Sequence, residues 1–264
     1  MLRYPFMQHA YAAGTVVAIV AGVVGYFVVL RRLSFAAHGL AHVGFTGAAG
    51  AVALGVNPVA GLLVLTCAGA SVMGALGKRA AERDVVIGSV LAWMLGLGVL
   101  FLSLYHGSAT SAFALLFGQV LGISTSEVLI TVAAGVPTVL ALVVMWRPLL
   151  FASVDEDVAE AAGVPVRGLS VAFLVLLALA VTVSVQVTGV LLVFALLVSP
   201  AAAAHRLTTG PARTLAASVA IALAVTWVGL ALAYYTPYPV GFWITTLAFA
   251  AYLAARLVES RRSR

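Results

Sequence analysis

Charge is what this chain has least of. Only 8% of its 264 residues are charged and 64% are hydrophobic, whereas soluble domains carry roughly 25% charged residues. No polar stretch is long enough to form a soluble domain of useful size, and the apolar runs are continuous rather than alternating. The composition therefore predicts an all-α, polytopic transmembrane helical bundle that forms a single transmembrane domain over residues 1–264.

The chain also has a single cysteine and no complete nucleotide-binding motif. The one cysteine, Cys67, lies in an apolar run and excludes a disulfide framework. Gly77-Lys78-Arg79 resembles the end of a P-loop, but Val72 stands where the earlier glycine is required, and Arg79 replaces the Ser or Thr. The chain therefore cannot hydrolyse ATP by that route. Signatures of intramembrane catalysis such as His-Glu-x-x-His are also missing.

The net charge of +6 does not indicate a nucleic-acid partner. The basic residues stand singly or in short clusters at the ends of apolar runs, where they act as topology determinants. The basic C-terminal end is expected beside anionic membrane lipid.

Charged residues and turn-forming pairs divide the chain into candidate spans. We expect breaks at Asn57-Pro58, at Arg147-Pro148, near residues 186–189 and at residues 235–239. The gap 85–126 fits either two spans or one span with a short additional element. One span at 85–105 places thirteen of the fourteen Lys and Arg residues in the cytoplasm. We therefore predict about nine spans, with eight as the alternative, and a short central re-entrant helix at 112–122. The N-terminus is then outside and the C-terminus cytoplasmic.

Two imidazoles interrupt a long run without Lys, Arg, Asp or Glu. His38 and His42 are one helical turn apart and share a face. An ionisable group at membrane depth is costly, and by default it is a candidate functional residue. Imidazoles at i and i+4 can share one metal ion, and they suit zinc, iron, copper or nickel, whereas carboxylate suits manganese better. The alternative is a pair of hydrogen-bonded packing histidines.

Other polar groups are weaker candidates. Polar groups near helix breaks can line a pathway or simply satisfy freed backbone groups; those in this chain are Asn57, Gln186 and Thr188. His9 and His106 are expected to be solvated outside, and His205 to complement the carbonyl end of its helix.

The segment 151–168 contains half of the chain's eight acidic residues. Its acidic start favours a short cytoplasmic helix that ends at Gly163, and Pro165 prevents its return. The segment is either an ordinary solvated loop or a docking helix for a partner. The residues that support the second interpretation are Asp155, Asp157, Ala159, Glu160, Gly163 and Arg167.

Several stretches together resemble one family. Residues 31–34 followed by 38–43, residues 84–88, 115–122 and 188–204 are similar, in order, to segments of the zinc-uptake permease family. These proteins are the membrane permease subunits of ATP-binding cassette importers for zinc, manganese or iron. The chain departs from the family where many members carry an acidic residue instead of His38, and Pro-Gly instead of Thr46-Gly47.

The resemblance implies a permease subunit of a metal importer in the bacterial plasma membrane. It implies a homodimer, cassette ATPase subunits docked on the 155–168 loops, and an extracytoplasmic metal-binding protein that delivers the ion. Zinc or manganese, with iron as a further candidate, is then the transported substrate at a transient site of His38 and His42, and no cofactor is bound permanently. The departure at His38 leaves the identity of the metal open.

Two other functions compete with this interpretation. A secondary, ion-gradient-driven metal carrier would need carboxylates within the membrane, and none of the eight acidic residues falls in a predicted span. A non-transporting membrane scaffold is the third possibility. Uptake without any ATPase would favour the carrier.

Overall fold

The computed structural model describes residues 1, 3–76, 80–105, 118 and 122–262. Those residues contain helices and no strands. The helices are α1 (Pro5–Leu30), α2 (Ser34–Ala53), α3 (Pro58–Leu76), α4 (Ala80–Leu104), α5 (Thr125–Val154), α6 (Glu156–Ala161), α7 (Val166–Thr188), α8 (Val190–Leu207), α9 (Pro211–Tyr235) and α10 (Val240–Arg262).

Six of the described helices are long and apolar enough to cross a membrane. They are α1, α5, α7, α9, most of α4 and most of α10, and shorter apolar segments lie within α3 and α8. The all-helical membrane fold is therefore confirmed, whereas the count of nine crossings stays a prediction. Most of the predicted re-entrant helix at 112–122 lies outside the described residues.

Three of the four predicted breaks are confirmed. The Asn57 side chain accepts a hydrogen bond from the backbone N–H of Val59 at 2.8 Å, immediately before the body of α3. Gly189, with a φ of 79°, separates α7 from α8, and a short turn separates α9 from α10. At each point a proline, a glycine or a side-chain cap interrupts helical hydrogen bonding.

The predicted break at Arg147-Pro148 is wrong, because α5 continues to Val154. A proline within a helix removes one backbone hydrogen bond, and its own φ remains compatible with the helix. Leu149 and Ala152, which follow the proline, are buried in the core. Their burial helps to offset the cost of the missing bond.

The helices form two groups that are joined by α7 and α8. In the first group, α1 packs against α5 and α9, and α10 packs against α9; in the second, α2 packs against α3 and α4. Both α7 and α8 contact α1 as well as α2. The core lies where α1, α2, α7 and α8 meet, and α4 is mostly exposed along its apolar surface.

Long-range contacts show which helix ends lie together. Close to the start of α1, His9 Nδ1 donates to the carbonyl oxygen of Ile123 at 3.2 Å, and His9 Nε2 lies 3.3 Å from the Thr125 hydroxyl. The Tyr4 ring is 6.3 Å from the ring of Tyr234, near the end of α9. The starts of α1 and α5 and the end of α9 therefore share one side of the bundle, which we call the His9 end.

The opposite side is rich in arginine. Arg31, just after α1, donates to the Ser170 hydroxyl near the start of α7 at 2.7 Å. Arg206, at the end of α8, pairs with Glu259 near the end of α10. These contacts place the ends of α1, α8 and α10 together with the start of α7, at what we call the arginine end. This distribution of helix starts and ends between the two sides is expected if successive long helices alternate in direction.

Candidate metal-transport site

The two histidines lie in the first half of α2, and the His38 ring contacts α8. Their ring centroids are 4.6 Å apart, and the ring planes are nearly perpendicular at 82°. The ring of Phe194, on α8, packs 5.0 Å from the ring of His38. Both imidazoles are only partly buried. The structure therefore brings the two predicted residues together on one face of one helix.

His42 is not satisfied by its surroundings. Its Nδ1 atom is buried and has no hydrogen-bond partner among the described residues. A buried polar atom without a partner costs about 1–3 kcal/mol. If the two histidines were hydrogen-bonded packing residues, this cost would be avoided. The geometry therefore favours the interpretation in which the His42 ring binds a ligand.

The spacing of the rings suits a shared ion. Metal–nitrogen bonds of about 2.0–2.1 Å place two imidazole nitrogens on one zinc ion at most about 4.2 Å apart. Rings with centroids 4.6 Å apart can reach that separation by side-chain rotation. Among the described residues, no three or more His, Cys, Asp or Glu side chains are grouped for metal binding. The pair therefore supplies two ligands, fewer than the four of a structural zinc site, and such a site can release its ion.

Close packing on the other faces of α2 positions this histidine face. A Cβ added to Gly47 would lie 2.3 Å from the carbonyl oxygen of Gly61 on α3. The two backbones are therefore so close that only a residue without a Cβ fits at position 47. The buried hydroxyl of Thr46 donates to the carbonyl oxygen of Met94 on α4 at 2.6 Å. These contacts hold α2 against α3 and α4 and leave the His38 ring against Phe194 of α8.

The three polar candidates near helix breaks do not join the histidines. Asn57 is exposed and caps α3. Its side chain therefore accepts a hydrogen bond from a backbone N–H, which is one of the two roles predicted from the sequence. The buried Thr188 hydroxyl donates to the carbonyl oxygen of Ser184 at 2.8 Å. Gln186 is partly buried near the end of α7. A role for these groups in the transport pathway therefore stays a prediction.

The acidic segment forms the predicted short helix, α6. The Asp155 side chain caps it by accepting a hydrogen bond from the Val158 N–H at 3.0 Å. At the other end Gly163 has a φ of 85°. Its N–H donates to the Glu160 carbonyl oxygen, and the next N–H donates to that of Ala159, each at 3.0 Å. This is the Schellman arrangement that an αL glycine permits.

The helix α6 presents its acidic side chains to solvent. Asp157, Glu160 and the following Arg167 are exposed. Ala159 is fully buried, and α6 packs against α5 and α7. The predicted helix and its end are confirmed, whereas its docking role stays a prediction.

The other histidines differ in part from expectation. His9 is not merely solvated, because both ring nitrogens contact the start of α5. His205 stacks on Tyr26 with centroids 5.1 Å apart, and its Nε2 donates to the Tyr26 carbonyl oxygen at 3.3 Å. It thus joins α8 to α1 instead of complementing its own helix end. His106 lies outside the described residues.

Two features were missed in the sequence. Ser124 and Glu127 form a capping box at the start of α5, and the Ser-x-x-Glu spacing would have predicted it. The contact of Phe194 with His38 carries no local signal, because the two residues are far apart in the chain.

Comparison with known proteins identifies the family of the chain. A profile of the ABC 3 transport family matches residues 3–259. The manganese transport system membrane protein MntC of Listeria innocua is 31% identical over 209 residues, 79% of this chain and 74% of that protein. A probable metal transport system membrane protein of Treponema pallidum is 30% identical over 272 residues, with both chains covered to 100%. Among solved structures, PsaBC from Streptococcus pneumoniae in complex with Fab matches with a TM-score of 0.86 and 28% identity, covering 96% of this chain and 92% of that one. The chain therefore belongs to the ABC 3 transport family.

Proposed function

We propose that this chain is the permease subunit of an ATP-binding cassette importer that moves a divalent transition metal into the cytoplasm. The family match and the metal-transport relatives support this function. The observation that carries it is the histidine pair on α2, in which the buried Nδ1 of His42 lacks a partner. Separate cassette ATPase subunits hydrolyse the ATP.

His38 and His42 hold the ion transiently. In a homodimer, two copies would bring four imidazoles to the pathway, and water would complete the coordination. Manganese is the substrate named for the Listeria relative, but imidazole ligands favour zinc or iron over manganese. The metal preference of this chain is therefore expected to shift toward zinc.

The arginine end faces the cytoplasm in this proposal. Exposed basic residues gather there, as the positive-inside rule requires. The chain then crosses nine times from an outside N-terminus to a cytoplasmic C-terminus, with residues 112–122 re-entrant and with Asn57, Gln186 and Thr188 along the pathway.

The helix α6 then docks the ATPase. Its capped, exposed acidic surface offers a rigid contact on the cytoplasmic side. The contact set comprises Asp155, Asp157, Ala159, Glu160, Gly163 and Arg167. At the opposite, His9 end, an extracytoplasmic metal-binding protein delivers the ion.

Reconstitution tests the site. The chain, its cassette ATPase and the delivering protein are placed in proteoliposomes, and ATP-dependent uptake of zinc and of manganese is measured. We expect His42→Ala to reduce uptake about tenfold or more, because removing a metal contact costs at least as much as removing its supporting group. His205→Phe retains a ring to stack on Tyr26 and serves as the control, with uptake near that of wild type. Uptake that survives His42→Ala unchanged would refute the site.

A second variant tests the metal preference. His38→Asp replaces an imidazole with the carboxylate that many family members carry, and it should raise manganese uptake relative to zinc. An unchanged ratio of manganese to zinc uptake would show that His38 does not coordinate the ion. Uptake driven by a pH gradient with no ATPase present would instead support the secondary carrier.

A further inference from the structure

A groove opens between α5 and α9 at the arginine end. It has a volume of about 470 Å³ and is lined by Val143, Val144, Trp146, Arg147, Pro148 and Leu215. Val143 is 62% exposed and Val144 is 82% exposed. Such an open apolar groove on a transmembrane helix faces lipid.

The length of α5 places the groove at the boundary of the membrane. The helix has 30 residues, which is about 45 Å at 1.5 Å per residue, against a hydrocarbon thickness of about 30 Å. Arg147 follows the capped start of α5 by about 33 Å along the axis. Its guanidinium therefore lies at the level of the lipid headgroups. The side chains of Val143 and Val144 lie about one turn deeper, at the level of the acyl chains. The backbone carbonyl of Val144 points the other way, toward the C-terminal end of α5 and the headgroups.

The positive charge in the groove has no acidic counterpart among the described residues. The lining contains no carboxylate, and Arg147 makes no hydrogen bond or ion pair with any residue that the structure describes. A guanidinium matches the geometry of a phosphate with two parallel hydrogen bonds. Basic pockets between transmembrane helices on the cytoplasmic side are typical binding sites for anionic headgroups.

Pro148 adds an acceptor beside this donor. Because proline has no N–H, the carbonyl oxygen of Val144 receives no hydrogen bond from the residue four positions later. The groove therefore offers a cation for a phosphate and a carbonyl oxygen for a hydroxyl. A glycerol headgroup carries both.

We propose that this groove binds an anionic phospholipid with a glycerol headgroup, from the leaflet at the arginine end. The phosphate pairs with Arg147, the headgroup hydroxyl reaches the Val144 carbonyl oxygen, and an acyl chain lies along Val143 and Leu215. The site is separate from His38 and His42, and it does not depend on the proposed transport function.

Trp146 supplies a built-in probe. In nanodiscs, a variant that retains Trp146 as its single tryptophan is compared in two lipid mixtures, with brominated acyl chains on phosphatidylglycerol or on phosphatidylcholine. Bromine quenches a tryptophan that it contacts. At equal bromine content we expect about fivefold enrichment of the anionic lipid at Trp146, the effect of one arginine near the membrane surface. A variant that retains only Trp93, which is 63% exposed on α4, reports the bulk lipid and should show no preference.

Arginine variants identify the contact. Arg147→Gln should abolish the preference, and Arg147→Lys should retain part of it. Arg256→Gln removes an exposed charge from the same end, outside the groove, and should change nothing. Native mass spectrometry of the protein with all its tryptophans should likewise show bound phosphatidylglycerol that Arg147→Gln releases.

Two results would overturn the proposal. The first is equal quenching of Trp146 by both lipids, or a preference that Arg147→Gln leaves intact. The second is protection of Trp146 from both lipids, because no acyl chain would then occupy the groove.

Discussion

Replacing Gly47 with alanine should weaken the packing that positions the histidine face. The added Cβ would lie 2.3 Å from the carbonyl oxygen of Gly61 and 2.8 Å from the Cβ of Leu65. Ordinary contacts begin near 3.4 Å, so α2 and α3 must separate by about 1 Å at their crossing. Neither obstructing atom lies at the end of a flexible side chain, so the cost should reach the upper part of the overpacking range, about 3 kcal/mol.

The assay is thermal unfolding of the detergent-purified protein, followed by tryptophan fluorescence. A loss of about 3 kcal/mol corresponds to a Tm lower by about 6–12 °C for a chain of this size. Gly96→Ala is the matched control, because Gly96 lies within α4 with no atom within 4 Å of the added Cβ. That variant should gain about 0.5–1 kcal/mol from the better helix former. A Gly47→Ala protein whose Tm equals that of wild type would refute the close crossing of α2 and α3.

Two further substitutions test neighbouring features. Thr46→Val removes the hydrogen bond to the Met94 carbonyl oxygen, and it should cost about 1 kcal/mol, or a Tm lower by about 2–4 °C; Thr46→Ser should restore most of it. Gly163→Val forces a branched side chain into a φ of 85°, a strain of at least about 1–2 kcal/mol. Hydrogen exchange should then accelerate in α6 while the Tm stays near that of wild type, and protection equal to wild type would contradict the cap.

The sequence predicts the ends of helices where backbone chemistry decides them. Asn57, Gly163 and Gly189 each interrupt or cap a helix through a local hydrogen bond or a positive φ, and each prediction is confirmed. Pro148 is the exception, because proline only weakens a helix. Whether the helix survives depends on the burial of the residues beyond, and that burial is a tertiary property.

The site was predictable to a similar extent. The spacing of His38 and His42 places them on one face, which is local information. The packing of Phe194 against His38, and the unpartnered Nδ1 of His42, depend on how α8 meets α2. The contacts of His9 and His205 could not be predicted for the same reason. Their partners are far away in the sequence, and no local spacing indicates them.

The junction at α7 and α8 has a mechanical consequence. The group of α2, α3 and α4 reaches the α1, α5, α9 and α10 group mainly through these two helices. A tilt of one group against the other would leave the packing inside each group intact and would slide α2 along α8. Because the His38 ring packs on Phe194 at that sliding surface, such a tilt would alter the space around the histidine pair without unfolding any helix.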